Sequence, residues 1–267
     1  MSPTEKIIFQ GKYGPWAVVT GASSGIGRAM CLALAKIGLD LVLVGRNQQA
    51  LMELSQEIEG KFFSKTRILQ ADLSLLEENR RIIEETKTLG IGLLICSAGM
   101  GTSGRFMESK VEDELEMIRV NCLSSLLLSR EFGERFAQQK TGGIVLLSSI
   151  VAFQGVPFAA HYAASKAYIQ SLAEGMHHEM KPYRVDVLAA SPGPVKSGFA
   201  QKANMVMDQA LDPNEIALPI LEALGKKMTV YPGFLTKFLT FSLSLLPRWG
   251  KVRVMQKVMG GFTQHQR

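Results

Sequence analysis

No acidic residue follows Glu222 in this 267-residue chain, although eight lysines and arginines do, from Lys226 to Arg267. That end contributes +8 to a whole-chain charge of +6, which leaves −2 for residues 1–222. The basic balance thus belongs to the C-terminal end, and a nucleic-acid-binding domain, which needs its cations across the folded face, is not expected. Cysteine is scarce as well: Cys31, Cys96 and Cys122 stand alone in apolar surroundings. They offer neither metal-ligand spacing nor a disulfide framework, which fits a reducing, cytoplasmic compartment. His177-His178-Glu179 lacks a third ligand at proper spacing, so no metal is expected. Met1 to Tyr13 has no apolar core region and does not read as a signal peptide. Internal repeats and long low-complexity linkers are absent too, which points to one domain.

What the chain does have is alternation. At 46% hydrophobic it can bury a large core. Strands are predicted near 16–20, 40–45, 66–71, 92–96, 143–148, 185–190 and 228–231, with helices between them. These include an acidic amphipathic helix at about 74–89 and a longer one from about 108 to 139. Asp212-Pro213 reads as an N-cap with proline at the first helical position, opening a helix to Leu224 that Gly225 closes. Such alternation predicts an α/β fold, a doubly wound parallel sheet of about seven strands covered on both faces.

Several stretches carry chemistry. Thr20-Gly21-Ala22-Ser23-Ser24-Gly25-Ile26-Gly27 follows the β-prone Trp16-Ala17-Val18-Val19 and opens an amphipathic stretch, Ile26 to Ile37, that Gly38 ends. A glycine-rich turn between strand and helix suits a Rossmann-type dinucleotide site, because it allows close backbone approach and aims N–H groups at a pyrophosphate. The spacing here is G-x-x-x-G-x-G. The second strand ends at Gly45-Arg46-Asn47, where an NAD site usually carries a carboxylate for the ribose hydroxyl. Glycine in that place and a guanidinium next to it favour a 2′-phosphate, hence NADP(H) over NAD(H). A solvated Arg46 that merely opens the next helix is the competing reading.

Farther on, the buried-type strand Gly143 to Leu147 ends in Ser148 and Ser149. Ser149 stands 13 residues before Tyr162, in the only Tyr-x-x-x-Lys of the chain, Tyr162-Ala163-Ala164-Ser165-Lys166. One helical turn puts Tyr162 and Lys166 on a common face. A neighbouring ammonium is expected to lower the pKa of the phenol, so that the pair can exchange a proton with a substrate oxygen. A serine hydroxyl facing them can hold that oxygen; Ser148 reads as a turn former.

In this order the motifs resemble those of the short-chain dehydrogenase/reductase family, over about Gly14 to Gly233. The resemblance implies a catalytic set of Tyr162, Lys166, Ser149 and Asn121, the last in Arg119-Val120-Asn121 at a helix kink. It further implies cofactor contacts from Gly21, Ser23, Ser24, Gly25, Ile26, Gly27, Arg46, Asp72 and Leu73 (adenine side), and Ala98 and Gly99. On the nicotinamide side it implies Tyr162, Lys166, Pro192, Gly193, Val195 and Ser197. Two departures stand out. The family's Asn-Asn-Ala-Gly reads Cys96-Ser97-Ala98-Gly99, which puts the bracing of the central sheet in doubt, and Ser197 replaces the commoner threonine. The activity implied is interconversion of a carbonyl and a primary or secondary alcohol with NADP(H). A non-catalytic NADP(H)-binding sensor or scaffold on the same fold is the alternative.

The loop from Val151 to Ala160 is rich in apolar residues and in this family lines the substrate pocket. It favours a hydrophobic substrate, such as a fatty-acyl, steroid or retinoid-like carbonyl. Lys12 to Gly21 resembles the branch that holds hydroxysteroid and very-long-chain 3-oxoacyl-CoA reductases. His161 reads as a residue that touches substrate or stands behind it. The resemblance also implies a homodimer or homotetramer built on the long helices, with which the apolar run Leu123 to Leu128 is compatible. Residues 1–233 then form the main domain and 234–267 an extension that is both apolar and basic. Three readings of that extension stand: helices over the substrate cleft or at a subunit interface, a peripheral membrane anchor, or a membrane span. Pro232, Gly233, Lys237 and Pro247 interrupt the last of these.

Overall fold

A computed structural model describes residues 1–206 and 210–266; Arg267, counted above in the basic end, lies outside them. Strands β1 (Trp16–Thr20), β2 (Asp40–Gly45), β3 (Thr66–Gln70), β4 (Ile91–Cys96), β5 (Gly142–Leu147), β6 (Val185–Ala190) and β7 (Thr229–Val230) form one sheet, in the order β3-β2-β1-β4-β5-β6-β7. Every pairing is parallel. Inner parallel strands are buried on both faces, which is why β1, β2, β4, β5 and β6 read as nearly unbroken apolar runs, whereas β3 at the sheet edge does not.

The helices are α1 (Pro3–Tyr13), α2 (Gly25–Ile37), α3 (Gln48–Phe62), α4 (Leu76–Glu85), α5 (Val111–Ile118), α6 (Ser124–Gln139), α7 (Ala160–Met180), α8 (Gly198–Lys202), α9 (Pro213–Ala223), α10 (Phe234–Ser244) and α11 (Arg248–Phe262). Alternate residues of each strand feed opposite cores. Ala17, Val19, Leu41, Leu43, Leu93 and Ile95 pack with α1, α2, α3 and α9. Val18, Val42, Val44 and Leu94 pack with Ile82 of α4, Phe132 and Phe136 of α6 and Ile169 of α7. A smaller third core joins Val156, Ala163, Ala203 and Met205 to Met255 and Met259 of α11.

Three helices depart from the sequence reading, while strand ends move by at most one residue. The helix expected over 108–139 is divided by a π-turn at Arg119–Leu123, so α5 and α6 are separate segments on a kinked path. α4 is shorter than 74–89 and stops at Glu85, with the Thr86 hydroxyl donating back to the Ile82 carbonyl at 2.8 Å. α9 ends at Ala223 because Leu224 is already extended, and Gly225 takes the turn at φ +74°. A fourth element, α1, has no counterpart in the sequence reading. Ser2 and Glu5 form a capping box around Pro3, and Phe9 and Tyr13 bury one turn apart.

Candidate active site

Strand order reverses between β1 and β4, which leaves a crevice at the C-terminal strand ends. A cavity of about 840 Å³ occupies it. Loops after β1 (Gly21, Ser23, Ser24, Gly25, Ile26), β2 (Arg46), β3 (Asp72, Leu73), β4 (Ala98, Gly99), β5 (Ser149) and β6 (Pro192, Gly193, Val195, Ser197) line it, together with Tyr162 and Lys166 of α7. Gly27 and Asn121 are the members of the sequence-derived set that stand behind this lining.

Gly27 is required by packing. A Cβ there would lie 2.2 Å from the Gly21 carbonyl oxygen, so only glycine lets α2 start this close to β1. Gly21 itself has φ +69°, and a Cβ would meet the Ala98 backbone at 2.8 Å. Ser24, the N-cap of α2, makes no side-chain cap, and the first turn carries no acidic residue. By contrast Asn47, Ser197 and Asp212 each cap their helices by side chain. The uncapped, positively polarised end of α2 therefore faces the cavity, which suits a pyrophosphate. Asp72 accepts from the Ser74 amide at 2.9 Å, which fixes the turn beneath the expected adenine end. Arg46 lies at the rim, half exposed, and its Nη1 pairs with Glu116 Oε1 of α5 at 2.8 Å.

A brace in place of the absent asparagines comes from β1. Thr20 Oγ1 accepts from the Ser97 and Ala98 amides, each at 3.1 Å. The same hydroxyl donates to the Ile95 carbonyl at 3.4 Å. One threonine thereby ties β1 to the loop after β4 at the point where the strand order reverses. Thr20→Val keeps the shape and removes both acceptor contacts. It is expected to lower stability by about 1–3 kcal/mol, since the two amides are only partly reached by water. A thermal melt at the wild-type midpoint would show that the brace lies elsewhere.

Asn121 sits in the π-turn, 1% exposed. Its Oδ1 accepts from the Met100 amide and its Nδ2 donates to the Met100 carbonyl, both at 2.9 Å. Nδ2 also donates to Ser165 Oγ at 2.9 Å. The side chain thus clamps the loop after β4 to the helix that carries Tyr162 and Lys166. A Cβ on Gly99 would lie 3.3 Å from Asn121 Oδ1 and 3.4 Å from Lys166 Nζ, so this glycine keeps a cradle open between them.

Ser149 is buried and loosely held: Oγ donates to the Pro192 carbonyl at 3.5 Å and accepts from the Val151 amide at 3.4 Å. Long bonds of this kind are readily exchanged for a substrate oxygen. Ser148 does more than form a turn, for its hydroxyl donates to the Lys166 carbonyl at 3.0 Å and pins α7 to β5.

Tyr162 and Lys166 share α7 as the spacing predicted, but the expected electrostatics are reversed. Burial pushes the phenol of Tyr162 up, with the Ser149 hydroxyl pulling back in part. Burial likewise pushes Lys166 down to about 8. The ammonium donates to the Leu147 carbonyl at 2.8 Å and lies 5.9 Å from the centre of the phenol ring. Desolvation outweighs attraction here because both groups leave water and the cation is directed at a backbone oxygen.

Of the Val151-to-Ala160 loop, Val151 and Ala159 line the cavity, whereas Val156 joins the third core and Phe153 packs against Tyr231. His161 stands behind the site: its Nδ1 is 2.6 Å from Glu114 Oε2. Sequence reasoning missed Phe199, whose ring centre is 5.1 Å from that of Tyr162, and Met205, both on the cavity wall. It also left open which tail residues turn inward; Leu235, Leu239, Leu243 and Leu246 of the α10 region and Val254, Met255, Val258 and Met259 of α11 do so. The Gly193 amide donates to Thr236 Oγ1 at 3.2 Å, so the tail is tied to the loop after β6. Among the described residues no helix is long and apolar enough to cross a membrane.

Residues 15–207 match the family model of the short chain dehydrogenases. The chain is 34% identical over 234 residues to a 7β-hydroxysteroid dehydrogenase of Clostridium sardiniense, covering 86% of this chain and 89% of the relative. It is 34% identical over 221 residues to a very-long-chain 3-oxoacyl-CoA reductase-like protein of Arabidopsis thaliana, covering 80% of this chain and 69% of that one. Among solved structures it resembles one determined to study 7β-hydroxysteroid dehydrogenase stereoselectivity, at TM-score 0.84, 27% identity and coverage of 92% and 98%. A short-chain dehydrogenase from Sphingobium yanoikuyae in complex with NADPH follows at TM-score 0.78, 26% identity and coverage of 87% and 93%. With its parallel sheet, glycine turn and Tyr-x-x-x-Lys helix in one arrangement with these matches, the chain belongs to the short-chain dehydrogenase family, oxidoreductases that act on CH–OH and C=O groups.

Proposed function

We propose that this protein is an NADP(H)-dependent reductase of hydrophobic ketones or aldehydes, acyl, steroid or retinoid-like. One observation carries the reading: a continuous cavity runs from the glycine turn and Arg46 past Ser149, Tyr162 and Lys166 to an apolar wall from α10 and α11. Relatives named for hydroxysteroids and very-long 3-oxoacyl chains support a substrate of that kind.

The uncapped end of α2 would hold the pyrophosphate, Arg46 the 2′-phosphate, and Asp72 and Leu73 the adenine. Ala98, Gly99 and the segment Pro192, Gly193, Val195 and Ser197 would hold the nicotinamide end, with Lys166 and Tyr162 beside its ribose. When bound, the cofactor supplies a hydride to the carbonyl carbon. Ser149 steadies the growing negative charge on the carbonyl oxygen by donating its hydroxyl, and Tyr162 delivers its proton to that oxygen. The raised pKa of Tyr162 keeps it in the acid form that reduction requires. Lys166, already down at about 8, is a readier proton source for the phenolate than an exposed lysine. Asn121 keeps the Tyr162 helix and the loop after β4 in register.

Residues 1–233 make up the catalytic body, and 234–267 close the substrate end. We place the enzyme in the cytoplasm, where Cys31, Cys96 and Cys122 stay reduced, with residues 234–267 at a membrane surface. Self-association runs through the α5–α6 face, where Val111, Leu115, Leu123 and Leu126 are exposed, as a homodimer or homotetramer.

The test is NADPH oxidation across a panel of steroid, acyl, retinoid-like and small polar carbonyls. Turnover of bulky apolar ketones is expected, with little for sugars. Turnover of small polar substrates alone would refute the pocket assignment. NADPH binding without turnover of any carbonyl would favour a sensor or scaffold.

A further inference from the structure

α10 is apolar on two faces. Leu235, Leu239 and Leu243, with Leu246 just past its end, look into the cavity. Phe234, Phe238, Phe241 and Leu245 recur at intervals of four, three and four residues, and are 85%, 56%, 65% and 72% exposed. Trp249, at the start of α11 beyond Pro247, is 65% exposed, and the Arg253 guanidinium lies 5.1 Å from the centre of its ring. An apolar helix face is normally buried. Among the described residues the inner side of α10 has protein against it, while the phenylalanines of the outer side stay exposed.

The surroundings of that second side indicate its occupant. Lys237, Arg248, Arg253 and Lys257 are exposed around the stripe, and no acidic residue occurs after Glu222. A two-fold contact of two such stripes would set cation against cation. A surface of anionic headgroups above hydrocarbon meets both the charge and the aromatic row, since Phe and Trp enter the interface while Lys and Arg reach back to phosphate.

The cavity also opens on this side. Leu246, Val254 and Val258 line it and are themselves 37%, 38% and 41% exposed, so its mouth lies between the end of α10 and α11. Leu245 of the outer stripe adjoins Leu246 of the mouth.

We propose that the outer face of α10, with Trp249 and the flanking cations, docks the enzyme on an anionic lipid bilayer so that substrate passes from the bilayer into the cavity between α10 and α11. The docking surface stands on exposure and charge alone; the passage rests on the reading of the cavity as a site for lipophilic carbonyls. None of Phe234, Phe238, Phe241, Leu245 and Trp249 lines the cavity. Docking can therefore be broken without touching the site.

The experiment is co-sedimentation of the full chain with vesicles of phosphatidylcholine, alone or mixed with phosphatidylglycerol. Sedimentation with the mixed vesicles, weakened by salt, is expected. Phe238→Asp/Phe241→Asp should lower partitioning by more than about tenfold, with NADPH affinity unchanged as proof of folding. Lys237→Glu/Arg248→Glu should remove the preference for anionic lipid. A wild-type chain that stays in the supernatant, or an aspartate variant that sediments like wild type, overturns the docking surface. So does an aspartate variant that turns a larger oligomer into a smaller one while the wild type ignores vesicles; the stripe is then an interface between copies. For the passage, the aspartate variant should raise KM for a ketone presented in vesicles and not for the same ketone in solution. Equal KM values would overturn it. Sedimentation needs no turnover, so a failed substrate panel and a failed docking surface are told apart.

Discussion

Tyr162→Phe is expected to cut carbonyl reduction by at least about 10³-fold while leaving NADPH affinity within about twofold of wild type. The ring stays, so its packing against Phe199 and the cavity wall is kept, and only the hydroxyl is lost. Among the described residues no other phenol lines the cavity, and Ser149 is far too weak an acid to take over. The pH profile adds a second reading. Burial holds Tyr162 protonated through neutrality, so wild-type reduction should be level from mildly acid to neutral pH. It should decline as pH rises through about 8, where Lys166 gives up its charge and no longer returns a proton to the phenolate. Alcohol oxidation needs the phenolate and should rise with pH over the neutral range, where reduction is level. The residual rate of Tyr162→Phe should show neither trend. A variant with wild-type activity, or a wild-type reduction rate that rises with pH, would remove Tyr162 from the chemistry.

The sheet was legible because parallel strands are buried on both faces, so β1, β2 and β4 read as apolar runs ending at glycine or at a small residue. Helix ends were legible where a local signal sets them: Gly38 closes α2 in the left-handed region at φ +105°, and the Asp212 side chain accepts from the Asn214 amide. The break at Arg119–Leu123 was legible only through the family resemblance, which put a kink at Asn121; periodicity runs straight through it. Asn121 holds that turn by reaching Met100 and Ser165, residues distant in sequence. α1 could have been found, since Ser2, Pro3 and Glu5 spell its start and Phe9 and Tyr13 mark its buried face.

The site follows the same division. Close backbone approach and proton transfer restrict which side chains will serve, which made the glycine turn, Ser149, Tyr162 and Lys166 legible. Asp72, Leu73, Ala98, Gly99 and the Pro192-to-Ser197 segment were reached only through the family resemblance. The direction of the pKa shifts was illegible, for it depends on how far the fold removes Tyr162 and Lys166 from water. Thr20 escaped notice because its work is done by a hydroxyl aimed across the sheet at Ser97 and Ala98. In the tail, composition announced apolar surface but could not divide it. The inward and outward stripes of α10 interleave along the helix, and only the position of the cavity separates them.

Arg46→Asp is expected to lower the preference for NADPH over NADH, as a ratio of kcat/KM values, by about 10²-fold or more. Charge-assisted hydrogen bonds to a phosphate contribute about 1.5–3 kcal/mol, roughly ten- to a hundredfold, and a carboxylate adds repulsion of the phosphate and a partner for a free ribose hydroxyl. The competing account is that Arg46 is a surface residue occupied by Glu116, and the 2.8 Å pair is what that account would have. The pair engages Nη1, and the half-exposed guanidinium keeps further N–H groups at the cavity rim. Glu116 can then act as an anchor that presents the fork to a phosphate. Arg46→Ala separates the accounts. If Arg46 binds the phosphate, this variant weakens NADPH by about ten- to a hundredfold and leaves NADH unchanged. If Arg46 serves only Glu116, both cofactors keep their wild-type kinetics, because an exposed ion pair contributes at most about 1 kcal/mol to stability and nothing to either ligand.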